Sequence, residues 1–547
     1  MLFTSPYKDI SLPAQDLPSF LFEYADRHSI FGNNPDHVTF SDDTSTLTYA
    51  ELRQQSHMFA SGLVNRLQLP KQSNIGILLP NTTKYPVVVL GSLMAGMVCA
   101  LANPAYAVGE LQHFLQQVDA AVVVTTCELV PIVINALNRA NLNMSRDRIL
   151  TIDGTSDNIQ HCMVGTPYSQ FRITSMEKAQ ATPAFILQSS GTTGMPKGMV
   201  LSHSNVVCNI LQNIAFEACD SIISAGEHNV TQQTHVVCLP FFHSYGLVLM
   251  LLVPVAKGHC QLIMRTFDLE QMCKLIETHS VSVAHLVPPI IIQLAKSPVV
   301  EKYDLSSLVF ISCGAAPLTR ETQSIIQKRI GCAVTQAYGL SEASPVTHRS
   351  PTLGAPAGSV GYLVPSMQCK IIDERGNVLG KMQPGELCVR GPNVMLGYLN
   401  DPEATAESIK NGFLHTGDIG YVDNNGFYFI SDRKKELIKY KGFQVAPAEL
   451  EGVLLDHPAV LDAAVIPVFD RIHETEVPKA FIVVDPKMAS SMLAQEINEW
   501  LTKRVATYKL LRGGVEIVDN IPKSASGKIL RRVLKDRERA RRNRPKL

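Results

Sequence analysis

The sequence predicts an α/β protein: a large N-terminal domain of helix-covered parallel sheets plus a small β unit, followed by a small α+β C-terminal domain. Three observations predict it. The chain has 547 residues, more than one hydrophobic core usually serves, so at least two domains are expected. From about residue 50, short continuous apolar runs alternate with amphipathic ones, the signature of parallel strands covered on both faces. After about residue 360 the pattern shifts to shorter β segments separated by turns.

The expected strands of the large domain lie in "NIGILLPN" (74–81), "AAVVVTT" (120–126), "HVVCLPFF" (235–242), "VSVAHLVPP" (281–289) and "SLVFISCGAAPL" (307–318). In open α/β sheets ligands gather beyond the carboxyl ends of strands. Those ends here carry His243-Ser244, Pro288-Pro289 and Gly314-Ala315, so these are candidate site loops. The segments "QCKIIDERGNVL", "GELCVRG" and "NNGFYFI" read as hairpins of the β unit. The charged run "SDRKKELIKYKGFQV" (431–445) reads as the boundary between domains. We set the domains at 1–432 and 433–547.

Two largely apolar stretches, 86–104, which carries no charge, and 246–264, have about the length of a membrane span. Prolines and glycines in the first, and Lys257 and His259 in the second, favour instead a buried helix followed by a core strand. No membrane span is expected. Lys plus Arg and Asp plus Glu both number 49, so the overall field gives no reason to expect nucleic acid. The 12 cysteines contain no C-x-x-C pair, which favours free thiols and no structural metal. The start lacks a secretory signal, and the triplets at Asn81, Asn143 and Asn229 read as chance matches to a glycosylation pattern.

The richest stretch is "LQSSGTTGMPKGMVLSH" (187–203). Gly191, Gly194 and Gly198 let backbone N–H groups approach a phosphate. Ser189, Ser190, Thr192 and Thr193 add hydroxyls, and Lys197 adds charge. A P-loop would place Ser or Thr after the lysine, whereas Gly198 stands there. Phosphate binding is expected, but of another kind.

"SSGTTGMPKG" resembles the phosphate loop of the adenylate-forming superfamily, which includes acyl-CoA synthetases, 4-coumarate-CoA ligases and luciferases. Further motifs follow in family order: "LPFFHSYG" (239–246), "SCGAAPL" (312–318), "QAYGLSE" (336–342), "LHTGD" (414–418), "DRKKELIKYKGFQVAPAELE" (432–451) and "PKSASGKILRR" (522–532). The resemblance spans about residues 30–535 and is greatest to 4-coumarate-CoA ligase-like members, through "ELIKYKGFQVAPAELE".

The resemblance implies an acid–thiol ligase. A carboxylate attacks the α-phosphate of ATP, giving an acyl-adenylate and pyrophosphate, and the acyl group then passes to CoA. It assigns ATP, Mg²⁺ and CoA as cofactors and a small-molecule carboxylic acid as substrate. Ser189, Ser190, Gly191, Thr192, Thr193, Gly194 and Lys197 would hold phosphates. Gly314, Ala315, Gln336, Ala337 and Tyr338 would form the adenine slot, with Ser341 beside it. Asp418 and Arg433 would bind the ribose. Glu342 would hold Mg²⁺ with Thr192 sharing it, and Lys528 would meet the α-phosphate.

Lys435 matches the family's hinge, so the small domain is expected to be mobile. After rotation Lys439, Lys441, Gly442 and Gln444 would face the adenylate and the CoA channel. The acyl pocket is expected among His243, Tyr245, Gly246, Leu249, Gly314, Ala337, Gly339 and Val346, a largely apolar lining. The Asp that amino-acid-activating relatives carry near Phe242-His243 is absent, which argues against an amino acid. Hydroxycinnamate-like aryl acids and medium or long fatty acids both stay open, as does luciferase-like oxygenation of an adenylate.

Ala337 replaces the glycine common in this motif, and Thr266 with Arg265 stands where coumarate ligases carry a CoA-binding lysine. Pro545-Lys546-Leu547 resembles the peroxisomal Ser-Lys-Leu address. Peroxisome, with an import receptor as partner, and cytoplasm are the two locations expected.

Overall fold

A computed structural model describes residues 1–154, 159–188, 196–220, 232–441, 443–470, 474–524 and 527–542. Among the described residues, the large domain contains a nine-stranded and a seven-stranded sheet. In the first, six strands run parallel, in the order 333–339, 310–313, 283–286, 234–237, 260–263 and 38–41. In the second, strands 183–188, 98–101, 74–77, 120–125 and 149–151 run parallel. Each expected apolar run therefore forms a strand, because residues such as Val98–Leu101 are buried on both faces and cannot alternate.

The two apolar stretches fold as expected. Lys84–Met94 is a buried helix leading to strand Val98–Leu101. Gly246–Lys257 is helical, widening to a π-helix over Gly246–Leu252, and leads to strand Cys260–Ile263. Among the described residues, no helix is long and apolar enough to cross a membrane. All twelve cysteines are free thiols, and eight of them are buried.

The β unit is a six-stranded antiparallel sheet that includes Gln368–Ile372, Gly385–Arg390, Phe413–Val422 and Tyr428–Arg433. The small domain builds a three-stranded sheet from Val460–Asp470, Thr475–Val484 and Val515–Ile517. Helices Pro447–Leu455 and Leu493–Thr502 close its own apolar core.

The charged run 431–445 is less of a linker than its composition suggests. Its first residues complete strand Tyr428–Arg433, and its last form a hairpin, Ile438–Tyr440 with Phe443–Val445. Asp432 and Glu436 are buried. Asp432 accepts backbone N–H groups from Arg433 and Ala448, and Glu436 accepts from Arg531 at 2.5 Å. Lys434 and Lys435 remain exposed between the domains.

Candidate active site

The site lies where the three large-domain sheets meet. Strand Ala333–Gly339 delivers Gln336 to Gly339, and residues 310–313 lead to Gly314 and Ala315. The β unit delivers Asp418 opposite Arg433 in register. The strand pair Gly198–Ser202 and Gly397–Tyr398 brings Lys197 beside Tyr398.

Asp418 is the electrostatic centre. It is 7% exposed, accepts the Tyr338 hydroxyl at 2.6 Å and meets Arg433 Nε at 3.4 Å. Burial raises its carboxyl above the usual range, and Arg433 and the Tyr338 hydroxyl pull it back. Such a carboxylate is a double acceptor for a diol.

Across the cleft, Glu342 Oε1 accepts the Tyr398 hydroxyl at 3.0 Å. Lys197 Nζ pairs with Asp401 at 2.9 Å and sits 5.6 Å from the centre of the Tyr398 ring. Tyr398 and Asp401 did not emerge from the sequence. The signal available was only their place in "GYLND", with no chemistry peculiar to it.

His243 opens the turn before the Gly246–Lys257 helix, and Leu247 N–H donates back to its carbonyl at 2.8 Å. Asn81 holds this loop: its amide donates to Leu239 O at 2.8 Å and accepts from Phe241 N–H at 2.8 Å. A residue read as a chance glycosylation triplet is thus buried and shapes the site. Ser244 and Ser341 hydroxyls lie 2.8 Å apart, tying this loop to Glu342's turn.

Tyr245 donates to Ser312 O at 3.2 Å. Its ring lies so close to Gly314 that a Cβ there would come within 3.0 Å. Ala315 is held at φ 69°, a strained conformation for a non-glycine residue.

Lys528 reaches the same site from the small domain. Its ammonium is held down to about 8, first by burial and then by Arg433, while Glu436, Asp418 and Glu342 oppose the shift. The shift of His243 down to about 4 comes first from burial and then from the charge of Lys528. Ser524, which accepts Lys528 N–H at 3.1 Å, and Gly527, at φ 79°, shape its loop.

Other expected residues stand elsewhere. Lys439, Lys441 and Gln444 are exposed on the small-domain hairpin. The backbone N–H groups of Lys439 and Lys441 donate to Glu476 and Thr475, and Gln444 donates to Glu374. Lys435 is exposed between the domains.

Leu249 lines a cavity of about 10 Å³ with His235, His259 and His285. Gly246 and Gly339 face backbone: a Cβ would meet Pro240 O at 2.1 Å and Pro345 O at 2.0 Å respectively. Val346 is buried and exchanges backbone hydrogen bonds with the Asn209 amide. Ala337 is part-buried in its strand. Ser189, Ser190, Gly191, Thr192, Thr193, Gly194 and Gly442 lie outside the described residues.

The donor set fits a magnesium nucleotide. Gln336 Nε2 is buried and has no hydrogen-bond partner among the described residues, while its Oε1 accepts Leu318 N–H at 2.9 Å. Glu342 offers a hard oxygen of the kind Mg²⁺ takes, already oriented by Tyr398. Among the described residues no three His, Cys, Asp or Glu side chains converge as they would on a metal.

The buried Asp418–Tyr338 pair, the Glu342 carboxylate oriented by Tyr398 and the ammonium of Lys528 thus meet in one cleft. The chain belongs to the AMP-binding enzyme family: residues 28–399 match that family, and residues 449–528 match the AMP-binding enzyme C-terminal domain.

Among its relatives are a probable 4-coumarate–CoA ligase of Dictyostelium discoideum, 38% identical over 98% of this chain and 97% of the relative, and 4-coumarate:CoA ligase 1 of Petunia hybrida, 36% identical over 98% and 97%. The o-succinylbenzoate coenzyme A synthetase of Bacillus subtilis, solved with ATP and a magnesium ion, superposes with a TM-score of 0.77 at 26% identity over 94% of this chain and 99% of that one.

Proposed function

We propose that the protein is an ATP-dependent acid–CoA ligase acting on a hydrophobic carboxylic acid, aryl or medium to long acyl. The observation that carries this reading is Lys528, which the small domain sets beside Asp418, Arg433 and Glu342. A carboxylate oxygen attacks the α-phosphorus of ATP, an O–P bond forms, and the bond to pyrophosphate breaks. Charge builds on the α-phosphate oxygens, where a fixed ammonium stabilises the transition state. Asp418 and Tyr338 orient the nucleotide meanwhile.

Glu342, held by Tyr398, and Thr192 would hold Mg²⁺, which when bound neutralises charge on the departing pyrophosphate. His243, with its imidazole held down to about 4, is neutral at pH 7 and offers an N–H donor to the incoming carboxylate. In the second step the CoA sulfur attacks the acyl carbon, the C–O bond to phosphate breaks, AMP leaves with the electron pair, and the thiol proton passes to solvent. Lys528 occupies the site in the conformation described, so the thiol step requires it to withdraw by rotation about Lys435. That rotation would bring the hairpin that carries Lys439 and Gln444, with Lys441, to the adenylate.

Luciferase-like oxygenation receives no support, since the relatives named above are CoA ligases. Acid-dependent ATP–pyrophosphate exchange across cinnamic, benzoic and fatty acids tests the reaction and the acid together. Silence with every acid would sink the reading.

We also propose that Pro545-Lys546-Leu547 serves as a peroxisomal address read by an import receptor. The basic residues just before it, Arg541 and Arg544, support this. A reporter carrying the last dozen residues should move to peroxisomes; a cytosolic reporter would refute it.

A further inference from the structure

The two domains also meet away from the reacting atoms, along the helix Pro288–Lys296. At its start, Val287 packs against Gly527, where a Cβ would lie 3.1 Å from Val287 Cγ2; Gly527 immediately precedes Lys528. At its far end, Lys296 Nζ donates to the carbonyl oxygens of Leu455 at 3.0 Å and Val460 at 2.6 Å, both in the small domain. One rod thus touches the small domain at the catalytic loop and again at its opposite end.

The chemistry of the far contact is specific. Leu455 ends the helix Pro447–Leu455, so its carbonyl is one that no N–H of its own helix reaches, and it carries part of the helix's negative end. A lysine ammonium answers both needs. Lys296 is not occupied at its own helix end, because Arg329 already donates to Leu294 O at 3.1 Å, Ala295 O at 2.6 Å and Ser297 O at 2.8 Å. Thr319 strengthens the same contact. Its hydroxyl meets Asp456 Oδ1 at 3.3 Å, and a Cβ on Gly452 would come 3.1 Å from its Cγ2.

We propose that Lys296 is a positioning residue for adenylation: it fastens the small domain in the orientation that keeps Lys528 at the site, and it must release before the thiol step. This rests on the ligase reading above. The ammonium touches no reacting atom. Its effect is on the balance between two domain orientations, so it should move the two half-reactions in different ways.

Lys296→Met keeps the apolar stem and removes the charge. Losing charged hydrogen bonds of this kind should lower ATP–pyrophosphate exchange by about tenfold. Thioester formation from a supplied acyl-adenylate should be unchanged or faster. Trypsin cleavage at the exposed Lys434–Lys435 junction, followed without any ligand, should quicken, and Lys296→Arg should restore both readouts. Gly452→Ala strains the same contact with Lys296 intact, and should shift the half-reactions in the same direction.

Wild-type cleavage in Lys296→Met, or an equal fall in both half-reactions, would overturn the proposal. An enzyme silent with every acid would instead undo the ligase reading, and the cleavage comparison would still report on Lys296.

Discussion

The ring of Tyr398 stands between Lys197 and Glu342: the ammonium sits 5.6 Å from the ring centre and the hydroxyl donates to Glu342 at 3.0 Å. One side chain therefore sets the spacing between a phosphate-loop cation and the expected magnesium ligand. Tyr398→Phe keeps the ring and removes the hydrogen bond to a charged group, a loss of about 1.5–3 kcal/mol. The Mg²⁺ concentration giving half-maximal pyrophosphate exchange should rise by about tenfold or more, with the response to the acid unchanged. An unaltered Mg²⁺ response would remove Tyr398 from the metal's support.

Asp418→Asn leaves the shape of the site but weakens its pairing with Arg433 and its capacity as an acceptor. Calorimetry should show ATP binding weakened by about ten- to a hundredfold, the equivalent of 1.5–3 kcal/mol. Affinity for the acid should change little. Equal loss of both affinities would mean that the pair holds the fold rather than the nucleotide.

Lys528→Ala should abolish adenylate formation and largely spare thiolation of a supplied acyl-adenylate. In the wild type the sign of the pH effect follows from an ammonium held down to about 8 by burial and Arg433. The charge is complete well below pH 8 and is lost as pH rises through it, so adenylation at low ATP should fall on the alkaline side. A rate still climbing at pH 9 would contradict this role.

Gly339→Ala should destabilise the protein before it alters specificity. The added Cβ would stand 2.0 Å from Pro345 O, and backbone cannot step aside as a flexible side chain can. A cost of about 3 kcal/mol is expected, read as a lower thermal midpoint. A stable variant with a changed acid preference would return Gly339 to the pocket wall.

Most of the fold was legible because strands buried on both faces must be continuously apolar, and runs such as Val122–Val124 announce themselves. The run at 431–445 was less legible. Its charges are balanced by Arg531 and by the backbone of Ala448, partners that no local pattern reveals.

The site divides in the same way. Asp418, Glu342 and Lys528 stood out from the sequence only through motifs that resemble a known family, and His243 also through its place at a strand end. Tyr398, Asn81 and Lys296 did not, since each acts through a contact with a residue more than 50 positions away. Leu249 shows the converse. It was expected in the acyl pocket, and the structure sets it against a small cavity shared with three histidines, a neighbourhood that no local pattern announced.

The helix from Pro288 to Lys296, gripped by the small domain at both of its ends, has a mechanical consequence. A domain held at one point can flutter, whereas one held at two separated points must break both grips to leave. Departure of the small domain would therefore be a threshold event, with Lys528 either seated or gone and little time spent between.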